Sequence, residues 1–324
     1  MKLRFLLALL AVCAALPAPA QDWPSRPVVV VMPYRPGGGG ESMVRLVMAR
    51  VSQDMGQQFV IENRAGAGGT IGAAYVAKAR PDGYILLASG LGSGVVAPAM
   101  ETVSFDSMKD FTHIALFGGP PPVLAVTAAF PGQTLQQYIE LSRARPEGIA
   151  FASSGHGTHV HLLGELFSSR TGAKMVHVPY NGGGPAGADL MAGHVPSAFV
   201  TLGSISQHLR AGKIRILAVA TSSRVAEFPN VPTFGELGYK ELTGTTWFGL
   251  SGPAGLPRAV AVKLNAAVRA AMSSPEVRGK LTGEAIEAGE LDPDAFTEFF
   301  RAEIARWAPI ARTLKDSAPK PAAR

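Results

Sequence analysis

The chain has 324 residues, a formal charge of +6 and 47% apolar residues, enough for packed cores in one large domain or two ordinary ones. No dense Lys/Arg cluster is interleaved with aromatics, which excludes nucleic acid as a partner. No stretch beyond the N-terminal region approaches the roughly 20 apolar residues of a bilayer span.

Lys2 and Arg4 precede an apolar run, Phe5 to Leu16, and then Ala18-Pro19-Ala20. This is the pattern of a cleaved secretory signal over residues 1–20. Cys13, the single cysteine, lies inside it, and Val12 before it is a poor match to a lipidation box. The mature chain then has no disulfide and no thiol chemistry. Losing Lys2 and Arg4 lowers the formal charge from +6 to +4, a mild excess that suits a protein meeting small anions.

After the lead-in Trp23–Pro27, short apolar runs alternate with glycine loops and helical patterns. Val28 to Met32 reads as a strand, Pro33 to Glu41 as a glycine loop, and Ser42 to Met55 as a helix burying Met43, Leu46, Val47 and Val51 and stopping at Gly56. Four successive glycines before a helix start free the backbone N–H groups to approach an anion. Strands over Phe59–Glu62 and Tyr84–Ala88 flank a helix over Ile71–Lys78. The loop Gly66 to Gly72 only partly matches a dinucleotide fingerprint, with no acidic residue at the expected distance for a ribose, so no cofactor is expected.

His113–Phe117 and Val123–Val126 read as strands joined by Gly118-Gly119-Pro120-Pro121-Pro122, a stiff connection suited to a crossing between lobes. A second βα series follows. Thr134 caps a helix over Leu135–Ala144, and the strand Ile149–Ala152 leads through Ser153 to Thr158 into a helix over His159–Arg170. Strands Met175–Val178, Ser197–Val200 and Ile216–Ala220 complete the set. Thr245 to Leu250 reads as a return strand, and helices cover Arg258–Ser273 and Asp294–Leu314. Polar loops thus follow strand ends in both halves, where open α/β sheets bind ligands. The expected fold is α/β and two-lobed, with a mostly parallel sheet flanked by helices in each lobe. Residues 21–124 plus 247–324 form lobe 1, and residues 125–246 form lobe 2.

Taken in order, P-Y-R-P-G-G-G-G-E, E-N-R-A-G-A-G-G-T-I-G-A, P-D-G-Y, S-S-G-H-G-T-H-V-H-L-L-G-E-L-F, H-V-P-Y-N-G-G-G-P-A, L-R-A-G-K-I-R-I-L-A-V, V-P-T-F-G-E-L-G and W-F-G-L resemble the substrate-binding proteins of tripartite tricarboxylate transporters, the Bug receptors, over essentially the whole mature chain. The resemblance implies a monomeric periplasmic binding protein of the type II-like, Venus flytrap kind. Such a protein closes on a small carboxylate, catalyses nothing and delivers its ligand to transporter membrane subunits. Carried over residue by residue, it implies one jaw at Tyr34, Pro36, Gly37, Gly38 and Gly39. The other would be Ser153, Ser154, Gly155, Thr158, Tyr180, Gly182 and Gly183, with Ser89 also facing the cleft; His156, His159 and Thr201, at positions where this chain departs from the family, are read as facing the cleft as well. The chain departs from the family at Gly40-Glu41, where T-D is common, at His156 and His159, and at Phe199-Val200-Thr201, where F-D-N is common. The missing acid at the last place implies that the ligand is not an amino acid.

Two other readings are weighed. His156, His159 and His161 could bind a metal, but on a helix starting near His159, His159 and His161 lie about 200° apart. A hydrolase would need G-x-S-x-G, a frame that Ser153-Ser154-Gly155 lacks.

Overall fold

The computed structural model describes residues 23–286 and 288–317; the signal segment and the Ala/Pro/Lys-rich tail lie outside them. In chain order the elements are β1 (Val28–Met32), α1 (Gly39–Met55), β2 (Phe59–Asn63), α2 (Thr70–Ala77), β3 (Ile85–Gly90), α3 (Ala97–Met100), β4 (Phe111–Gly118), β5 (Pro122–Thr127), α4 (Leu135–Ala144), β6 (Ile149–Ser153), α5 (His159–Thr171), β7 (Met175–Pro179), α6 (Gly183–Ala192), β8 (Ser197–Thr201), α7 (Ser206–Arg210), β9 (Ile214–Val219), β10 (Phe248–Pro253), α8 (Arg258–Ser273), α9 (Pro275–Thr282) and α10 (Pro293–Ser317).

The strands make two five-stranded sheets, ordered β2-β1-β3-β10-β4 and β7-β6-β8-β5-β9. In the first, β1 runs parallel to β2 and β3, while β10 is antiparallel to β3 and β4. The second repeats the plan: β6 is parallel to β7 and β8, and β5 is antiparallel to β8 and β9. The sheets are therefore mixed. The antiparallel member of each comes from the chain's passages between sheets, outward through β4 and β5 and back through β10.

Burial explains the strand composition. Val28, Val30 and Val31 of β1, Leu86 and Ala88 of β3, and Leu124, Ala125 and Val126 of β5 are fully covered. Near-continuous apolar runs of this kind suit strands covered on both faces. Helix α1 lays Met43, Val44, Val47, Met48 and Val51 on the first sheet and ends at Gly56, whose left-handed φ of 65° closes it. The Thr134 hydroxyl caps α4 by accepting from the Gln137 N–H.

Helix α10 packs on β4 of the first sheet and on α5, the helix that follows β6 of the second. Its Phe296, Phe299 and Phe300 surround Trp247 at ring separations of 5.0–6.0 Å. The Glu303 carboxylate accepts from the indole N–H groups of both Trp247 and Trp307. Trp247 is thus a packing residue at the crossing. Gly249 of β10 lies so close to α10 that a Cβ there would overlap the Phe296 ring and approach the Ala115 carbonyl at 2.7 Å. Gly249→Ala should destabilise the protein by about 1–3 kcal/mol, the usual range for overpacking, measured as a lowered urea midpoint at unchanged m-value.

Candidate functional site

Helices α1, α5 and α6 all start at one cavity between the two sheets. It is lined by Tyr34, Arg35, Gly38, Gly39, Gly40 and Glu41 after β1, by Ser154, Thr158, His159 and Val160 after β6, by Gly183 at the start of α6, and by Thr201 and Ser204 after β8. Met32, Gly92, Thr246 and Phe248 complete the wall. The first N–H groups of a helix have no intrahelical acceptor and carry the positive end of its dipole, so three converging starts favour an anion.

The helix before this cavity begins earlier than its apolar pattern implies. Gly39 and Gly40 form the first turn of α1, with Gly38 in extended conformation as the cap. Of the four glycines only Gly37 has a positive φ, +94°. Gly39 and Gly40 are required by proximity, whereas a Cβ on Gly38 would come no closer than 3.8 Å to a neighbour. A Cβ on Gly40 would fall inside the Phe248 ring, and one on Gly39 would lie 3.1 Å from the Gly203 Cα of the facing loop. The Gly39 N–H donates across the cleft to Ser204 Oγ at 3.3 Å, and Ser204 Oγ lies 2.9 Å from Thr201 Oγ1. The cavity is small, about 40 Å³, room for roughly two or three waters. The jaws are in contact, so a ligand of several heavy atoms needs them to part.

Glu41 is buried at the third position of α1, where a carboxylate is favoured by the dipole. It accepts from Arg45 at 2.5–2.8 Å and from the Gly37 N–H at 3.5 Å. Tyr34 meets Phe248 edge to face at 6.0 Å, and its hydroxyl donates to the Gly68 carbonyl. Burial pushes the Tyr34 phenol up to about 12, so it remains a donor at neutral pH.

The predicted residues divide. Tyr34, Gly38, Gly39, Ser154, Thr158, His159, Gly183 and Thr201 line the cavity. Gly155, His156 and Tyr180 line an adjoining cavity of about 370 Å³ that shares Tyr34 and Ser154 with it. Pro36 is exposed, and Gly37 and Gly182 stand at the contact between jaws, Gly37 facing Gly184 and Gly182 facing Arg35. Ser89 does not face the cleft. It is buried within β3, bonded to Ser251 Oγ at 2.8 Å and to the Gly249 carbonyl, because β10 pairs there. Ser153 points away too, with Oγ 2.7 Å from His177 Nε2. Sequence reasoning missed Ser204, Thr246, Gly92 and Phe248. A signal for Ser204 was present, since it closes the polar loop after β8.

The histidines also divide. His159 is buried at the cavity wall, its Nδ1 2.9 Å from Thr246 Oγ1 and its ring 4.8 Å from Trp307. His161 lies on the other side of α5, stacked on His177 at 4.0 Å and 4.7 Å from His156. Among the described residues no His, Cys, Asp or Glu group has the geometry to hold a metal ion. Stacked rings keep their nitrogens from converging. Burial, with Arg306 nearby, pushes His159 down to about 3; burial lowers His113 and His177 to about 4 each, and His161 falls further, through burial and then its His177 and His156 neighbours.

These dispositions match a class: the two-lobed solute-binding receptors, in which a ligand is enclosed between the strand ends of two α/β sheets. The family model described as "Tripartite tricarboxylate transporter family receptor" matches residues 43–315, and the chain belongs to that family, a family of receptors and not of enzymes. It is 36% identical to protein BugT of Bordetella pertussis over 301 residues, covering 92% of each chain. Among solved structures it is similar to an R. palustris protein with adipate (35% identity, TM-score 0.86, covering 90% of this chain and 98% of that one). It is likewise similar to MatC from Rhodopseudomonas palustris with bound malate (31%, TM-score 0.85, covering 89% and 100%).

The buried histidines yield a pH dependence. A group with a folded pKa below its unfolded value near 6.5 takes up protons more readily on unfolding. Stability is therefore complete above about pH 6.5 and declines as pH falls toward 4, with a limit near 1.4 kcal/mol per pH unit for each such group. Urea melts at successive pH values should show this decline, and His159→Asn should flatten part of it.

Proposed function

We propose that the protein is a periplasmic receptor that captures a small carboxylate between two lobes and passes it to the membrane subunits of a tripartite tricarboxylate-type transporter. The observation that carries this reading is the convergence of three helix N-termini, with the hydroxyls of Ser154, Thr158, Thr201 and Ser204, on one cavity between the sheets. Neutral donors hold an oxyanion without an opposing fixed charge, which permits release as well as capture. The bound adipate and malate of the two R. palustris relatives support the ligand class.

In this reading the protein is secreted through residues 1–20 and acts as a monomer. Lobe 1 comprises residues 21–124 plus 247–324 and lobe 2 residues 125–246, except that β5, which pairs in the second sheet from Pro122 onward, moves the first boundary to just before Pro122. The ligand is not an amino acid: position 200, where F-D-N would place an acid, is a valine, and the one acid at the cavity, Glu41, is already bound by Arg45. Closure follows a population shift toward the form in which the ligand bridges both lobes.

Thermal unfolding against dicarboxylates, tricarboxylates, aromatic acids and acidic amino acids tests this. A true ligand at a hundredfold excess over Kd adds about 2.7 kcal/mol. Gly39→Val, which would hold the jaws apart at Gly203, should abolish that shift while leaving the ligand-free melting temperature nearly unchanged. Solution scattering should show compaction on binding. A selective response to aspartate or glutamate would overturn the exclusion of amino acids.

A further inference from the structure

Two charged side chains line the cavity, Arg35 and Glu41. Glu41 is neutralised by its ion pair with Arg45. Arg35 stands at the solvent edge and makes no hydrogen bond or ion pair with any other described residue. Its backbone lies at the contact between the jaws. The root of the side chain packs on Gly182 of the facing lobe, where a Cβ would lie 3.4 Å from both Arg35 Cβ and the Arg35 carbonyl oxygen. Gly182 holds a φ of +144°, so a larger residue there is disfavoured by backbone strain as well as by space. The missing side chain at 182 leaves room for an arginine reaching the cleft from lobe 1. Between Arg35 and the hydroxyl donors the wall includes the apolar Met32, Val160 and Phe248.

We propose that Arg35 determines ligand selectivity by taking the second acidic group of a dianion whose first carboxylate lies on the amide and hydroxyl donors. The inference rests on the carboxylate-receptor reading and adds a named residue for discrimination. A guanidinium presents paired N–H groups that match a carboxylate. The neutral donors deeper in the cavity serve any carboxylate alike. Selection between a diacid and a monoacid of the same length then falls to Arg35, with the linking chain lying on the apolar wall.

The test is calorimetric titration of the purified protein with the straight-chain diacids from malonate to suberate, each beside its half-amide, which has the same length but one charge fewer. The wild-type protein should prefer the best diacid to its half-amide by about tenfold or more, as expected for a hydrogen bond to a charged group. Added salt should shrink that preference, because Arg35 is at the solvent edge. Arg35→Gln should bring the two ligands to within about twofold by weakening the diacid alone, and Arg35→Lys should restore part of the difference. A tenfold preference that survives in Arg35→Gln, or a wild-type protein that binds diacid and half-amide equally, overturns the role of Arg35 and leaves the receptor reading intact. A wild-type protein that binds no carboxylate at all overturns both.

Discussion

The close approach of two backbones across the cleft is the constraint on which the site depends. Gly39 faces Gly203, and Gly37 faces Gly184, at distances where added Cβ atoms would be 3.1–3.3 Å from their neighbours. Only such an approach allows the Gly39 N–H to reach Ser204 and brings the starts of α1, α5 and α6 to one small space. Side chains at these positions would separate the lobes and leave each helix start facing water. Electrostatic stabilisation of an anion by helix ends falls off within a turn, so a separation of a few ångströms would weaken it.

The back of the molecule supplies the complementary stiffness. Trp247 and Trp307 share the Glu303 carboxylate, and His159 at the cavity wall packs on Trp307. The wall of the site is therefore continuous with α10, which packs on both β4 and α5. His159 remains neutral there because it is buried, and its Nδ1 is engaged by Thr246 in the returning segment. The polar contacts hold the crossing segments in place, while the glycine contacts in front can part without breaking an ion pair between Arg45 and Glu41, both of which belong to α1.

Much of this was legible in the sequence, and the failures have identifiable causes. The strand cores and helix faces followed apolar periodicity closely: β1 ran over Val28–Met32 as read, and the α1 face included Met43, Val47 and Val51. The glycine run was harder to read. Glycine is compatible with loop and helix alike, and the neighbours that demand it lie far along the chain: the Phe248 ring at Gly40 and the Gly203 backbone at Gly39. The turns over Gly92–Val96 and the helix α9 were passed over, the first for its small residues and the second for the Pro275 that begins it. Ser89 was assigned to the cleft because it ends an apolar run; register with β10 turns it to Ser251 instead. His177 joined the imidazole stack because β7 pairs in parallel with β6, placing it opposite Phe151, a register that no local pattern announces.

The strand order has a consequence for assembly. All strands of the second sheet lie between Pro122 and Val219, an uninterrupted stretch. The first sheet is different: β10, at Phe248–Pro253, is inserted between β3 and β4. Until it arrives, β3 and β4 each present an unpaired edge, and an entire second sheet must be threaded between them in sequence before closure. Sheets that depend on such distant pairing form slowly, since loop closure precedes the contacts that repay it. Exposed strand edges in the interval are templates for association with other chains. The half of the protein that is synthesised first is thus the half whose sheet closes last, and its kinetic vulnerability lies along β3 and β4.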